Sequence, residues 1–318
     1  MEMIDVFRIG LVLLASLILS IAVLADQQDR NRELVNQNVP GTNRGRERVM
    51  SGIAPEQPAL LREYPDVTTD KLLEQARTAC AERYSLAVRE GARIVPTSDS
   101  RSFFVVWMPP GTETVSHAIA TISGHGSWAF DECAVWRDAA ERHGCAIIAL
   151  QWWFGTGERH QDYYDPADMY PLFASLLNSL GFRKRSILFH GFSRGSANSY
   201  AMTYLDRASG NSLFALTLAN AGGYQDDFPI HRGLMTDDAR SDSILAETKW
   251  ALFCGGKDPQ PDRSGCNGMR RTADWIRLQG GYIVTFISDD RAGHGGFHRS
   301  AAHVESVMKT FDRITGNR

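Results

Sequence analysis

Residues Ile187–Asn198 read ILFHGFSRGSAN. An apolar run stops at Gly191, places Ser193, passes Gly195 and restarts among small residues. The run is rich in β-formers and the continuation SANSYAMTYLDR is helical in composition, so the stretch predicts strand, tight turn, helix. One serine held on such a turn is the arrangement of a nucleophile elbow. Glycines are needed on either side because the turn strains the serine backbone and brings strand and helix close together, where side chains would clash. The plainer alternative is an ordinary glycine-containing loop. The rest of the chain must therefore supply the parts an elbow needs.

On both sides of the elbow the chain alternates between two patterns. SFFVVWMPP from Ser102, HAIATISGHG from His117, CAIIALQWW from Cys145, RSILFHG from Arg185, LFALTLANAGG from Leu213, KWALFCGGKD from Lys249 and GYIVTFISDD from Gly281 read as strands. Between them DECAVWRDAAERHG, DMYPLFASLLNSLGF, the helix after Ser193 and TADWIRLQGG read as helices. In the second of these Met169, Leu172, Phe173, Leu176, Leu177 and Leu180 fall at helical spacing, with Asp168 as cap and Pro171 in the first turn. HVESVMKTFDRI closes the chain with Val304, Val307, Met308 and Phe311 on one stripe. Upstream, TTDKLLEQARTACAERYSLA predicts a helix opened by a Thr cap. Strands that are continuous apolar runs, alternating with amphipathic helices, indicate an α/β protein: a mostly parallel sheet with helices on both faces. A polar stretch, Gly223–Glu247, is too long for a simple connection and is expected as a short insertion before the acid-bearing strand. It is placed as a small cap over the cleft, and its acidity gives no preference for anionic substrates.

Working groups in open α/β sheets gather at the carboxyl ends of strands. Ser193 needs a base to take its proton, and that base needs an acid to orient it. Asp258, in ALFCGGKDPQPD, lies just past a strand and is the expected acid, with Asp262 in reserve and Asp289 and Asp290 less suited. His294, in SDDRAGHGGFHRS, lies on a glycine-flanked loop past the last strand and is the expected base, with His298 in reserve. A developing oxyanion needs N–H donors already in place. The backbone N–H of Arg194 supplies one, and the loop ISGHGSW (Ile122–Trp128) the other, assigned to Ser127 with Gly126 next. Each part falls on its own strand end in the order glycine loop, Ser, Asp, His.

With SGHGSW, HGFSRGS, GGKDP and AGHGGF in place, the chain from about Ser102 onward resembles the α/β-hydrolase superfamily. Within it the chain looks most like small esterases of the feruloyl-esterase and polyhydroxybutyrate-depolymerase type, where a strand ending in HG precedes the first oxyanion donor. The resemblance implies serine-esterase chemistry through an acyl-enzyme, on a small-molecule or polymeric ester. A peptidase of the same fold and a non-catalytic binding protein that keeps the fold remain the alternatives. Arg194 departs from the small residue expected after the serine: its backbone donor is intact, but its side chain must point away from or edge the acyl site.

Trp128, Trp152 and Trp153, with Tyr163 and Tyr164, are candidates to line an aromatic or sugar-bearing pocket, against the alternative of packing beneath a long loop. No cofactor motif, phosphate-binding loop or C-x-x-C metal spacing occurs, and a formal charge of −3 gives no case for nucleic acid as partner. Ile9–Ala25 is an unbroken apolar run of 17 residues ahead of a polar linker that extends to residue 62. It is expected to direct export, to the periplasm or outside the cell, as a cleaved signal peptide or as a membrane anchor. Glu2 and Asp5 before it are unlike a signal peptide's basic start. In an oxidising compartment Cys254 and Cys266 can close a short loop, and Cys133 with Cys145 likewise, though spacing alone dictates no pairing.

Overall fold

The computed structural model describes residues 64–112, 114–225, 228 and 243–317. The apolar run 9–25, the linker to residue 62 and most of the insertion lie outside the described residues. Among the described residues no helix is long and apolar enough to cross a membrane.

The strands are β1 (Arg93–Pro96), β2 (Phe103–Trp107), β3 (His117–Ile122), β4 (Cys145–Leu150), β5 (Ile187–Phe192), β6 (Phe214–Asn220), β7 (Lys249–Gly255) and β8 (Tyr282–Asp289). They form one 8-stranded sheet in the order β1-β2-β4-β3-β5-β6-β7-β8. β1 and β2 pair antiparallel, as do β2 and β4, and every other pairing is parallel. The registers align strand ends: Ile122 lies opposite both Leu150 and Gly191, Phe192 opposite Asn220, and Gly255 opposite Asp289. The loops that leave these ends therefore open along one rim.

Helices α1 (Thr69–Ala79), α2 (Ala81–Arg89), α3 (Ala129–Arg142), α4 (Pro166–Ser179), α5 (Arg194–Ala208), α6 (Cys266–Leu278) and α7 (Ala301–Thr315) accompany the sheet. β7 shows why its strand reads as a continuous apolar run. Ala251 and Phe253 pack in the cluster that holds Val304, Val307, Met308 and Phe311 of α7, while Trp250, Leu252 and Cys254 pack with Tyr200 of α5 and Met269, Ala273 and Ile276 of α6. Side chains alternate across a strand, so a sheet covered on both faces is apolar at every position. β8 is an edge strand, and Tyr282 and Val284 on it are exposed.

Three element expectations are corrected. α4 starts at Pro166, capped by Asp165, whose carboxylate accepts the Ala167 N–H at 2.9 Å. An Asp cap followed by Pro at the first helical position is the favoured start, so Pro171 falls inside the helix and not in its first turn. The predicted helix near Leu72 is two helices, divided at Cys80, where φ −128° and ψ 42° leave the helical region. Its packing role is visible: Leu72 and Ala76 are fully buried, and the Thr69 hydroxyl donates to the Ser102 carbonyl at 2.6 Å. β1, in a polar stretch with only Ile94 and Val95 as apolar centre, was not expected; it closes the sheet edge beside β2.

Candidate active site

Ser193 sits between β5 and α5 at φ 52°, ψ −113°, a left-handed backbone that costs a non-glycine residue about 1–3 kcal/mol. The surroundings hold it there. Its N–H donates to the Asn220 carbonyl at 2.8 Å and its carbonyl accepts from Ala197 at 3.1 Å. A Cβ on Gly191 would stand 2.3 Å from the Gly195 carbonyl oxygen, and one on Gly195 would stand 2.6 Å from the carbonyl oxygens of Ile122 and Ser123. Both glycines are thus demanded by space, as the strand–helix approach requires.

His294 lies on the loop after β8, with Nε2 2.8 Å from Ser193 Oγ and Nδ1 2.6 Å from Asp258 Oδ2. A carboxylate only accepts, so Nδ1 carries the imidazole hydrogen and Nε2 is left to accept the Ser193 O–H. Asp258, on the loop after β7, is buried, and its other oxygen accepts the Gln260 N–H at 2.9 Å and the Ser264 hydroxyl at 2.8 Å. Ser264 was not anticipated; a hydroxyl six residues past a candidate acid carries little signal in sequence. The ring of Phe192 packs against His294 at 5.2 Å between centroids. The disulfide Cys254–Cys266 brackets the loop that carries Asp258.

The reserve residues lie elsewhere. Asp262 is exposed and near Arg271, and Asp289 faces His303. His298 is half-buried against Trp136 and His190, and desolvation with the neighbouring His190 charge lowers its pKa to about 3. Around it runs a polar network missed at the sequence level. The Thr121 hydroxyl donates to Glu132 at 2.6 Å, and Glu132 lies 3.2 Å from His190 Nδ1. Burial acts to raise the Glu132 pKa, but the His190 hydrogen bond and charge, with His298 and Thr121, hold it below the ordinary carboxylate value. An acid four residues before Trp136, on the buried face of α3, was the available sign.

A cavity of about 400 Å³ opens over Ser193, with His125, Arg194, Arg263, Gln260 and His294 in its wall. Ser127 is absent from that wall. The oxyanion loop approaches the elbow three residues earlier, where a Cβ on Gly124 would stand 3.3 Å from Ser193 Cβ. The Gly126 N–H donates to the Tyr163 hydroxyl at 3.1 Å and is already engaged.

Trp128, Trp152 and Trp153 are not in the wall either. Trp152 is buried with its N–H on the Ser123 carbonyl at 3.0 Å, and Trp128 and Trp153 pack edge to face at 5.4 Å. These rings support the loops from behind, the alternative weighed for them. Cys133 and Cys145 do not pair: with Cys80 they are free, and burial pushes all three thiols up to about 12.

No family model matches the chain, and no curated protein matches it. Solved structures do. An esterase from Rhizomucor miehei aligns with 77% of this chain and 91% of its own at 13% identity and a TM-score of 0.54. The Francisella virulence factor BioJ covers 77% and 93% at 12% identity with a TM-score of 0.52. The fold is that of the α/β-hydrolases. A hyperthermophilic esterase from the archaeon Pyrobaculum calidifontis is similar as well, over 79% of this chain and 94% of its own, at 15% identity and a TM-score of 0.50. At such identities the likeness is one of architecture, and the chemistry of this chain rests on its own side chains.

Proposed function

We propose that this chain is a serine hydrolase that cleaves carboxylic esters. The observation that carries the reading is the continuous hydrogen-bonded line from Ser193 through His294 to Asp258, on three strand ends of one rim. Ser193 Oγ attacks the ester carbonyl carbon while its proton passes to His294 Nε2. Asp258 keeps the imidazole in the accepting tautomer and stabilises the imidazolium that forms. The tetrahedral oxyanion is held by backbone N–H groups of Arg194 and, in place of Ser127, of His125, which follows the close approach at Gly124 and lines the cavity. Collapse breaks the bond to the alcohol oxygen, which takes the proton from His294. Water then attacks the acyl-enzyme with His294 again as base, releasing the acid and regenerating Ser193.

The similar structures from Rhizomucor miehei and Pyrobaculum calidifontis are esterases, which supports ester over amide substrates. The narrower placement among feruloyl-esterase and polyhydroxybutyrate-depolymerase types rests on the His-Gly step in SGHGSW. Export through Ile9–Ala25 is part of the proposal and is supported by the Cys254–Cys266 disulfide, since such bonds persist in oxidising compartments. N-terminal sequencing of the secreted or membrane-bound protein tests it, and a chain retained in the cytosol contradicts it.

The purified protein is expected to hydrolyse a short-chain 4-nitrophenyl ester, much faster than the matching anilide. Ser193→Ala is expected to lower kcat by about 10⁴-fold or more. Full activity in that variant would overturn the mechanism.

A further inference from the structure

The wall of the cavity over Ser193 carries an unusual charge arrangement. Arg194, the residue after the nucleophile, is half-buried, and its guanidinium lies 4.0 Å above the Tyr163 ring. Nη1 donates to the Glu158 carbonyl at 3.0 Å and lies 3.4 Å from His125 Nδ1. Beyond these contacts its side chain interacts with Tyr163, and none of the described carboxylates lies within ion-pair distance of it. The nearby acids are committed: Glu158 faces His125 Nε2 at 3.6 Å, and Asp162 holds Arg159. Burial lowers the Arg194 pKa, and Tyr163, Asp162 and Glu158 oppose that shift only in part.

A second arginine, the exposed Arg263, lines the same wall from the loop that carries Asp258. Its side chain holds no partner among the described residues. The described carboxylate in that wall is Asp258, which is taken up by His294, Gln260 and Ser264. Nε–H and Nη2–H of one guanidinium form a planar fork that matches the two oxygens of a carboxylate. A half-buried cation braced by an aromatic ring, with no described carboxylate in ion-pair contact, is prepared for an anion that arrives with the substrate.

Resting on the ester-hydrolase reading above, we propose that Arg194 and Arg263 form an anion subsite beside Ser193, and that the preferred esters carry a carboxylate near the scissile bond. The acid-rich insertion gave no ground for anionic substrates; the described wall of the cavity argues the opposite from its own charges. Either side of the ester can bear the carboxylate, and the substrates separate the two.

Steady-state kinetics on the full chain compare two matched pairs. 4-Nitrophenyl hemiadipate against its methyl ester places the charge on the acyl side. The acetate of 4-hydroxybenzoate against that of 4-hydroxybenzamide places it on the alcohol side. In one pair the anionic member is expected to show at least about tenfold higher kcat/KM, mostly through KM, and the advantage is expected to shrink as salt is raised. In Arg194→Gln and Arg263→Gln the ratio within that pair is expected to fall toward one. A wild-type ratio at or below one in both pairs, or a preference that survives in both variants, overturns the subsite and leaves the ester reading standing. Absence of turnover on all four esters, together with no fluorophosphonate adduct, overturns the ester reading and the subsite with it.

Discussion

Ser193 keeps an unfavourable backbone only because Asn220 and Ala197 hold its N–H and carbonyl, and because no side chain occupies positions 191 and 195. Asp258 acts through orientation: it fixes which nitrogen of His294 carries hydrogen. Asp258→Asn, which reverses that preference, is expected to lower kcat by about 10⁴-fold with little change in urea stability; a modest fall in kcat would place the acid elsewhere. His298 supplies a pH dependence. Its folded pKa of about 3 lies below its ordinary value of 6.5, so between those values the unfolded chain binds the proton that the folded chain refuses. Stability contributed by the neutral ring is present above about pH 6.5 and declines as pH falls toward 3. His298→Gln is expected to flatten denaturation midpoints over that window, and an unchanged slope would contradict the assignment. Residues at strand ends, Ser193, Asp258 and His294, were legible because chain order and flanking glycines restrict where such groups can sit. The packing of the tryptophans was not, since composition says nothing about which face of a loop a ring fills.

Among the elements, the loop between β7 and α6 matters most to the site, because Asp258, Gln260, Arg263 and Ser264 all ride on it. The Cys254–Cys266 disulfide closes it, and cross-linking a loop of this length restricts the unfolded chain by about 3 kcal/mol. The double variant Cys254→Ala/Cys266→Ala is expected to lose stability of that order and to lose kcat through a less fixed Asp258. Unchanged urea midpoint and kcat would show the bond to be incidental. The pairing was one of two open in the sequence. It is realised because strand end and helix start meet here, whereas Cys133 on α3 and Cys145 at the start of β4 remain free thiols. Gly191→Ala is expected to destabilise by about 1–3 kcal/mol, as its Cβ meets backbone that cannot move without shifting α5. Boundaries were legible where chemistry marks them, but Asp165–Pro166 was passed over for Asp168 although Asp before Pro is the stronger start.

For the whole molecule, the two-sided core accounts for both the legibility of the fold and the position of the site. Strands such as Cys145–Leu150 are buried at every position, a pattern that a one-sided sheet does not produce. Strand order and the antiparallel edge of β1 and β2 were not legible, because they depend on which crossovers pack best and not on any strand's own residues. Parallel registers then bring strand ends to one rim, where residues 101 and 36 positions apart (193 to 294, 258 to 294) meet within hydrogen-bond distance. In the proposed mechanism this meeting makes the Ser193 hydroxyl the nucleophile. Treatment with a fluorophosphonate followed by peptide mass mapping tests it most directly. A single adduct on Ser193, suppressed in His294→Ala, is the predicted result; a protein left unlabelled, or labelled at another residue, would contradict the account.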